Sequence, residues 1–252
     1  MLCFYILLAV QIVVESLPIS SSSHVYLLQS STDCAPLTST MLYSLHIPTA
    51  VLLAVFFVRQ WFFILTHLRA CAPILLKLIV LGIIADGMTA LIFLLLHMMP
   101  ITLPLGVGLC VTAAALYFLR FCGARNQSFG YAQAAMLGIA QGIALLPGIS
   151  RFAIVYATAR WLGINHRRAF EITWLIELPL IIAASAVSIY FDRAHQLQLL
   201  LRDPIALSVI VIASIMAYAA LYIMERMAAR NQLWILSFYM VIPLVLWWYL
   251  SW

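Results

Sequence analysis

Six apolar runs, each long enough to cross a membrane, constrain the fold of this chain more than any other feature. They lie at about 41–66, 72–96, 101–122, 168–190, 205–225 and 232–251. A helix needs about 20 predominantly apolar residues to cross the hydrocarbon core of a bilayer. Only 8% of the residues are charged, whereas a soluble domain carries about 25%. We therefore expect an all-α polytopic membrane protein with six transmembrane helices in a single integral membrane domain, 1–252.

Two further apolar regions, about 1–32 and 129–163, are each interrupted by a proline and a polar, serine-bearing loop. Within lipid, irregular backbone is tolerated only where protein or a water-filled cavity surrounds it. Each half of these regions is too short or too broken to cross alone. The sequence therefore predicts two re-entrant helix–loop–helix hairpins.

The two hairpins have matching patterns of residues. Gln11 precedes Ser20 by nine positions, and Gln141 precedes Ser150 by the same nine. Paired broken segments in corresponding halves of a membrane protein are typical of inverted repeats with a site near the membrane midplane. We expect one repeat at about 1–122 and a second at about 129–252.

The basic residues favour one orientation in the membrane. If the first hairpin enters from the outer side, ten basic residues lie in inner connections and only Arg193 and Arg202 in outer ones. The ten are Arg59, Arg69, Lys77, Arg120, Arg125, Arg160, Arg167, Arg168, Arg226 and Arg230. This positive-inside bias requires the second hairpin to return to the side from which it came, and it predicts that both termini lie outside. The first fourteen residues lack a basic segment, so we expect no cleaved signal peptide.

Polar side chains are concentrated in the first loop, in the segment QIVVESLPISSSSH. Gln11 and Glu15 are four residues apart and share one helix face, and Ser20, Ser21 and His24 follow at once. An ionisable group at membrane depth costs roughly 3 kcal/mol on insertion scales, which makes it a functional candidate by default. The alternative is that the serines cap a helix and the histidine anchors at the interface.

The second loop, PGISRF, has the composition of an anion site. Gly148 permits a backbone geometry that exposes amide hydrogens, Ser150 adds a hydroxyl, and the Arg151 guanidinium matches phosphate oxygens in a bidentate fork. The alternative is a structural ion pair of Arg151 with Glu15 or Glu177.

Together, the two loops supply a carboxylate, hydroxyls, an imidazole and an anion clamp. A carboxylate beside hydroxyls binds a hard divalent cation or acts as a general base. The combination predicts a phosphoryl-transfer site whose substrates, reached through the bilayer, are lipid phosphates. The net charge of +5 is spread between apolar runs, so we expect no nucleic-acid partner.

The segment QIVVESLPISSSSH resembles the (E/Q)xxxE-x-L-P-x-S-S-x-x-H signature of the undecaprenyl-diphosphatase, or bacitracin-resistance, family. GIAQGIALLPGISR resembles the family's G-x-x-Q-x-x-A-L-x-P-G-x-S-R segment, and the likeness extends over nearly the whole chain. It implies an enzyme that removes one phosphate from undecaprenyl diphosphate and recycles the carrier lipid for cell-wall synthesis. It also implies a bacterial inner membrane with the site facing the periplasm, and it leaves homodimerisation open.

The resemblance assigns roles to individual residues. It implies that Glu15 binds a divalent cation, Mg²⁺ or Ca²⁺, or activates the nucleophile, which is Ser21 or His24. It implies that Ser150 and Arg151 hold the diphosphate. Substrate-binding positions also include Gln11, at the variable Glu/Gln position, together with Ser20 and Gly148.

The sequence departs from the family pattern after Arg151. The family continues S-R-S-G-x-T, whereas here Phe152, Ala153 and Val155 replace the serine, the glycine and the threonine. The two missing hydroxyls remove about two hydrogen bonds, each worth roughly 0.5–1.5 kcal/mol. The usual glycine of the first loop is Ser23.

Two alternatives and several residues complete the expectations. A lipid-phosphate flippase would share the inverted-repeat architecture. A phosphatidic-acid-type phosphatase would need a histidine at 157, where this chain has alanine.

Asp86 and Glu177 are expected to be mainly structural. The histidines expected to lie at interfaces or in loops are His46, His67, His97, His166 and His195, and the five cysteines show no metal spacing and are expected to act mostly as small hydrophobic residues.

Overall fold

The computed structural model describes residues 2–32, 39–99, 102–123, 126–191 and 200–252. Sequence predictions that involve Cys34, Arg125, Arg193 and His195 therefore lie outside the described residues. The described part is helical and contains no strand. This agrees with an all-α protein, since within lipid every backbone N–H and C=O has to be satisfied inside the helix.

Thirteen α-helices follow one another along the described part of the chain. They are α1 Leu2–Glu15, α2 Ser21–Ser31, α3 Ser39–Ser44, α4 His46–Phe56, α5 Val58–Thr66, α6 Leu68–Met98, α7 Leu105–Phe118, α8 Tyr131–Ile143, α9 Arg151–Trp161, α10 His166–Phe191, α11 Pro204–Ala229, α12 Leu236–Tyr239 and α13 Val241–Leu250. Short 3₁₀ turns occur at Leu119–Phe121 and Leu233–Ile235.

Four of the described helical segments are long and apolar enough to cross a membrane: Leu68–Met98, His166–Tyr190, Pro204–Ala229 and Leu233–Leu250. They coincide with four of the six predicted spans and make this a multi-pass membrane protein. A fifth predicted span, 41–66, is bent by 58° between α4 and α5. The bend lies at Phe57, whose φ of −94° and ψ of 16° leave the helical region. The sixth, at 101–122, is a shorter apolar helix, Leu105–Phe121.

Both predicted hairpins are pairs of short helices that pack against each other. The sulfur of Cys3, near the start of α1, lies 3.8 Å from the hydroxyl of Thr32, just past the end of α2. The amide of Gln127, before α8, donates to the carbonyl of Gly163 after α9 at 3.0 Å. At 1.5 Å per residue, helices of 14 and 11 residues extend only about 21 and 17 Å. Each chain segment therefore turns back close to where it began.

The hairpin helices are held by the longer ones. Helix α1 packs along α11, and α8 packs along α6. The second contact depends on Gly138, because a Cβ there would lie 2.1 Å from the carbonyl oxygen of Ala85. Small residues that allow such close backbone approach are typical of helix packing in membranes.

The described cysteines include one that forms a disulfide and three that are free thiols. Cys3 is disulfide-bonded, whereas Cys71, Cys110 and Cys122 are free thiols. The expectation that most cysteines act as small hydrophobic residues therefore does not extend to Cys3, whose disulfide the sequence analysis did not predict.

Candidate functional site

Glu15 lies at the centre of the polar residues of the first loop. It ends α1, and its carboxylate is only 8% exposed. One oxygen, Oε2, accepts hydrogen bonds from the Ser21 hydroxyl and from the Gln11 amide at 3.3 Å. The Gln11 amide also donates to the Ser21 oxygen at 3.4 Å. The helix spacing that placed Gln11 and Glu15 on one face thus brings both to the first residue of α2.

Arg151 brings the second hairpin to the same carboxylate. Its Nη2 donates to Oε1 of Glu15 at 3.0 Å, across 136 residues of chain. The arginine side chain is 19% exposed and the glutamate 8%, so the pair lies in a region of low dielectric constant. The contact uses one nitrogen of a guanidinium that carries five N–H donors. The two polar loops therefore form a single site.

His46 is a member of this site that the sequence analysis missed. Its Nδ1 lies 3.2 Å from Oε1 of Glu15, and its side chain is 8% exposed. The expectation of an interfacial or loop histidine was wrong at this position. Its sequence signal was weak, because a single histidine in an apolar run has no motif and its partner is 31 positions away. Its place at the first residue of α4, just before Pro48, was the only local clue.

The remaining polar residues of the first loop contact one another rather than Glu15. The Ser20 hydroxyl shares a hydrogen bond with that of Ser23 at 2.7 Å, and the Ser20 backbone has φ 66°, a conformation that costs a non-glycine residue about 1–3 kcal/mol. Nδ1 of His24 donates to the Ser20 carbonyl at 2.8 Å. Its Nε2 accordingly accepts from the Tyr239 hydroxyl, 3.1 Å away, and the two rings stack.

The backbone of the second loop is held against α7 by hydrogen bonds to the side chain of Thr112. The Thr112 hydroxyl donates to the Gly148 carbonyl at 3.0 Å and accepts from the Ser150 amide at 2.9 Å. Gly148 has φ +85°, and a Cβ there would lie 2.3 Å from the Leu105 carbonyl oxygen. The Ser150 hydroxyl caps α9 by accepting from the amide of Ala153. These contacts hold Arg151, the first residue of α9, in place.

The residues that depart from the family pattern lie in the core. Phe152 is 4% exposed, and Ala153 and Val155 are fully buried. The Phe152 ring packs 4.9 Å from Trp174 and 5.5 Å from Phe170. Phe152 thus completes an aromatic cluster between α9 and α10.

Among the described residues, Glu177 and Gln141 are buried polar side chains with atoms that lack a hydrogen-bond partner. Glu177 is 3% exposed, its Oε1 lacks a partner, and it interacts electrostatically with Arg151 and Glu15. Gln141, nine residues before Ser150, is fully buried with both amide atoms unsatisfied. Unsatisfied buried polar atoms are rare in folded proteins and need an explanation.

The donor atoms around Glu15 can bind a metal ion only if oxygen atoms of the substrate supply its remaining ligands. Within the described residues, no group of three or more histidine, cysteine, aspartate or glutamate side chains could hold a metal ion. Mg²⁺, however, is usually bound by one or two carboxylates together with substrate phosphates. Glu15, with the unsatisfied Oε1 of Gln11 beside it, fits that pattern.

Comparison with known proteins identifies the family of this chain. The family model described as "Bacitracin resistance protein BacA" matches residues 4–245. The chain belongs to this family. The match includes both hairpins and every residue that contacts Glu15, so the BacA family spans the complete site.

Three curated relatives of this BacA-family chain share a modest sequence identity with it. A protein of Thermotoga maritima named "Undecaprenyl-diphosphatase" is 28% identical over 246 residues, covering 94% of this chain and 95% of the relative. A protein of the same name from Elusimicrobium minutum is 27% identical over 187 residues, 71% of this chain and 72% of the relative. One from Korarchaeum cryptofilum is 28% identical over 137 residues, so the match spans about half of that relative.

Proposed function

We propose that this protein hydrolyses undecaprenyl diphosphate to undecaprenyl phosphate and inorganic phosphate. The observation that carries the proposal is the buried cluster in which Glu15 contacts both Ser21 and Arg151. A nucleophile, a base and a cationic clamp within one hydrogen-bonded group are what phosphoryl transfer requires. The names of the relatives and the family supply the substrate.

In the proposed reaction the Ser21 oxygen attacks the terminal phosphorus, and Glu15 takes the serine proton. The bond between that phosphorus and the bridging oxygen breaks, and undecaprenyl phosphate leaves with the bridging oxygen. Water then attacks the phosphoserine, the bond between phosphorus and the serine oxygen breaks, and Glu15 returns its proton to that oxygen. The serine hydroxyl is thereby regenerated, and the oxygen and both protons of the water leave with inorganic phosphate and solvent. Arg151 turns its unused N–H groups to the transferring phosphoryl oxygens and stabilises their charge.

The geometry favours Ser21 over His24 as the nucleophile in this proposal. The Ser21 hydroxyl already donates to Glu15, so its proton has an acceptor in place. The lone pair of His24 lies on Nε2, which faces Tyr239, and no described contact joins His24 to Glu15. His24 instead supports the Ser20 carbonyl at the start of α2.

A divalent cation, Mg²⁺ or Ca²⁺, is part of the proposal. Glu15, with Gln11 Oε1, would hold it jointly with the diphosphate oxygens. When bound, the ion would neutralise charge on the substrate phosphates. A site completed by the substrate accounts for a cluster in which Glu15 is the carboxylate that contacts Ser21 and Arg151.

We also propose the membrane arrangement predicted from the sequence. The chain forms two re-entrant hairpins in an inverted repeat, with the site open to the outer side of a bacterial cell membrane. Three observations support it: the short paired helices, the positive-inside bias and the disulfide of Cys3. Disulfides persist on the oxidising outer side of membranes and are rare in the cytosol.

The experiment compares Ser21→Ala with Ser22→Ala. Ser21 is buried against Glu15, whereas the adjacent Ser22 is exposed. Phosphate release from undecaprenyl diphosphate by purified protein should fall at least a thousandfold in Ser21→Ala and stay within twofold of wild type in Ser22→Ala. Equal activity of the two variants would contradict the assignment of Ser21 as the nucleophile. Wild-type protein that moves lipid phosphate across vesicles without releasing phosphate would contradict hydrolysis and favour a flippase.

A further inference from the structure

Glu177 lies within the membrane-spanning helix α10 and is buried inside the protein. It is 3% exposed, and its Oε1 accepts no hydrogen bond from the described residues. An ionisable side chain at membrane depth is costly, and it usually pairs with another charge or marks a functional position. A buried carboxylate oxygen without a partner therefore requires an explanation.

The packing of α9 against α10 places Glu177 on the side of Arg151. The ring of Phe152, the residue after Arg151, lies 4.9 Å from that of Trp174. Trp174 and Glu177 are three residues apart in α10, so they share one face of the helix. That face packs on α9, and Glu177 is close enough to be attracted by Arg151 and repelled by Glu15.

The guanidinium of Arg151 is directed to Glu15 rather than to Glu177 in the structure. Its Nη2 donates to Oε1 of Glu15 at 3.0 Å, whereas Oε1 of Glu177 stays unsatisfied. A guanidinium offers more N–H donors than this contact uses, and its planar fork can face two anionic groups at once. Arg151 therefore uses one of two carboxylates that lie near it.

The proposed reaction withdraws the carboxylate that Arg151 uses. Glu15 takes the Ser21 proton and holds the cation jointly with the diphosphate, so its charge is no longer available to pair with Arg151. The guanidinium has to face the phosphoryl oxygens at that moment. A charge stabilises a transition state best when it is already held in position, and a supporting group beside it supplies that restraint.

We propose that Glu177 is a positioning residue, which becomes the carboxylate partner of Arg151 when the substrate engages Glu15 and holds the guanidinium towards the transferring phosphoryl group. The inference rests on the proposed function and adds a residue to it. The unsatisfied Oε1 of Glu177 is then the acceptor that Arg151 uses during the reaction. Glu177 acts through Arg151 and does not contact the reacting atoms.

The first test compares Glu177→Leu with Glu171→Leu. Both variants replace a carboxylate of α10 with an apolar side chain, but Glu171 is exposed and is the matched control. Glu177→Leu should lower kcat for phosphate release about tenfold, the effect of one lost hydrogen bond to a charged group, and leave KM nearly unchanged. Glu177→Gln should recover part of the loss because its amide oxygen still accepts. Glu171→Leu should keep the wild-type kinetics.

A stability measurement tests the change of partner without relying on activity. In the wild-type protein Arg151 is paired with Glu15, so removing the unpaired Glu177 carboxylate should leave the unfolding temperature unchanged or raise it. In a Glu15→Gln background Arg151 depends on Glu177, and Glu177→Leu should lower the unfolding temperature by about 5 °C or more. Thermal unfolding in detergent measures both effects, and Glu177→Gln, which keeps the shape of the side chain, replaces a Glu177→Leu variant that does not fold.

Wild-type kcat in Glu177→Leu, or an equal change of unfolding temperature in the two backgrounds, overturns the proposal. A rise in the Mg²⁺ concentration that Glu177→Leu needs for half-maximal phosphate release would assign Glu177 to the cation and overturn it as well. Wild-type protein that releases no phosphate contradicts the proposed function instead. The unfolding temperatures then still decide whether Glu177 can replace Glu15 as the partner of Arg151.

Discussion

Replacing Arg151 with alanine removes the ion pair with Glu15 that joins the two hairpins. At 3.0 Å and an effective dielectric constant of about 20, the direct attraction is about 5 kcal/mol. Much of this offsets the cost of removing both charges from water. Removing one partner of a buried pair nevertheless costs about 3–5 kcal/mol, because the other charge stays buried and unpaired.

The structure places Arg151→Ala at the lower end of that range. His46 remains 3.2 Å from the same oxygen and continues to stabilise the carboxylate. We therefore expect a loss of about 3 kcal/mol in the free energy of unfolding, together with loss of most phosphate release. Arg151→Lys should retain most of the stability but little of the activity, because an ammonium cannot replace the planar fork.

A double-mutant cycle measures the interaction directly. Glu15→Gln, introduced into Arg151→Ala, removes the unpaired charge and should restore about 1–2 kcal/mol, giving a coupling energy of about 2 kcal/mol. Unfolding is followed in detergent, with Arg69→Ala, at an exposed position on α6, as the arginine control. A coupling energy indistinguishable from zero, with turnover unchanged in Arg151→Ala, would refute the reasoning.

Three further substitutions test separate parts of the account. His46→Ala should lower kcat/KM about tenfold, and His46→Gln less, since its amide keeps an N–H group beside Glu15; equal kinetics of both variants and wild type would remove His46 from the site. Phe152→Ser should cost about 3 kcal/mol of stability because it opens a cavity in the aromatic cluster, and should not raise phosphate release; thermal unfolding and activity assays check both. Gly148→Ala should destabilise by about 2 kcal/mol or more, from its positive φ and its steric overlap, whereas Gly87→Ala, with nothing within 4 Å, should be neutral or slightly stabilising by thermal unfolding.

The sequence predicted most of the helices because long apolar runs leave few alternatives in a membrane. It did not predict the 58° bend between α4 and α5. Proline and glycine, the usual local signals of a helix break, are absent at Phe57, so the bend depends on tertiary packing. The shortening of the run at 101–122 was likewise not visible from hydrophobicity alone.

The candidate site was predictable where a local pattern encodes it. The spacing of Gln11 and Glu15 and the compositions of both loops identified residues that the structure brings together. The contact between Glu15 and Arg151 was one of two ion pairs considered, and choosing between them required the fold. His46 could not be found, because its role arises only when α4 begins beside the end of α1.

The departures at Phe152, Ala153 and Val155 show the limit of reading a motif one residue at a time. From the sequence alone, these substitutions are interpreted as removing polar groups that would contact the phosphate. In the structure all three side chains point into the core, where Phe152 packs against Trp174. Their effect on the site depends on which face of α9 they occupy, which a motif does not specify.

The central claim is tested most directly by phosphate release from undecaprenyl diphosphate. Purified protein in detergent is assayed with Mg²⁺ or Ca²⁺, then with a chelator, beside Glu15→Gln. The account predicts release by the wild-type protein that needs both the cation and Glu15. Folded wild-type protein that releases no phosphate, or a Glu15→Gln variant with wild-type turnover, would contradict it.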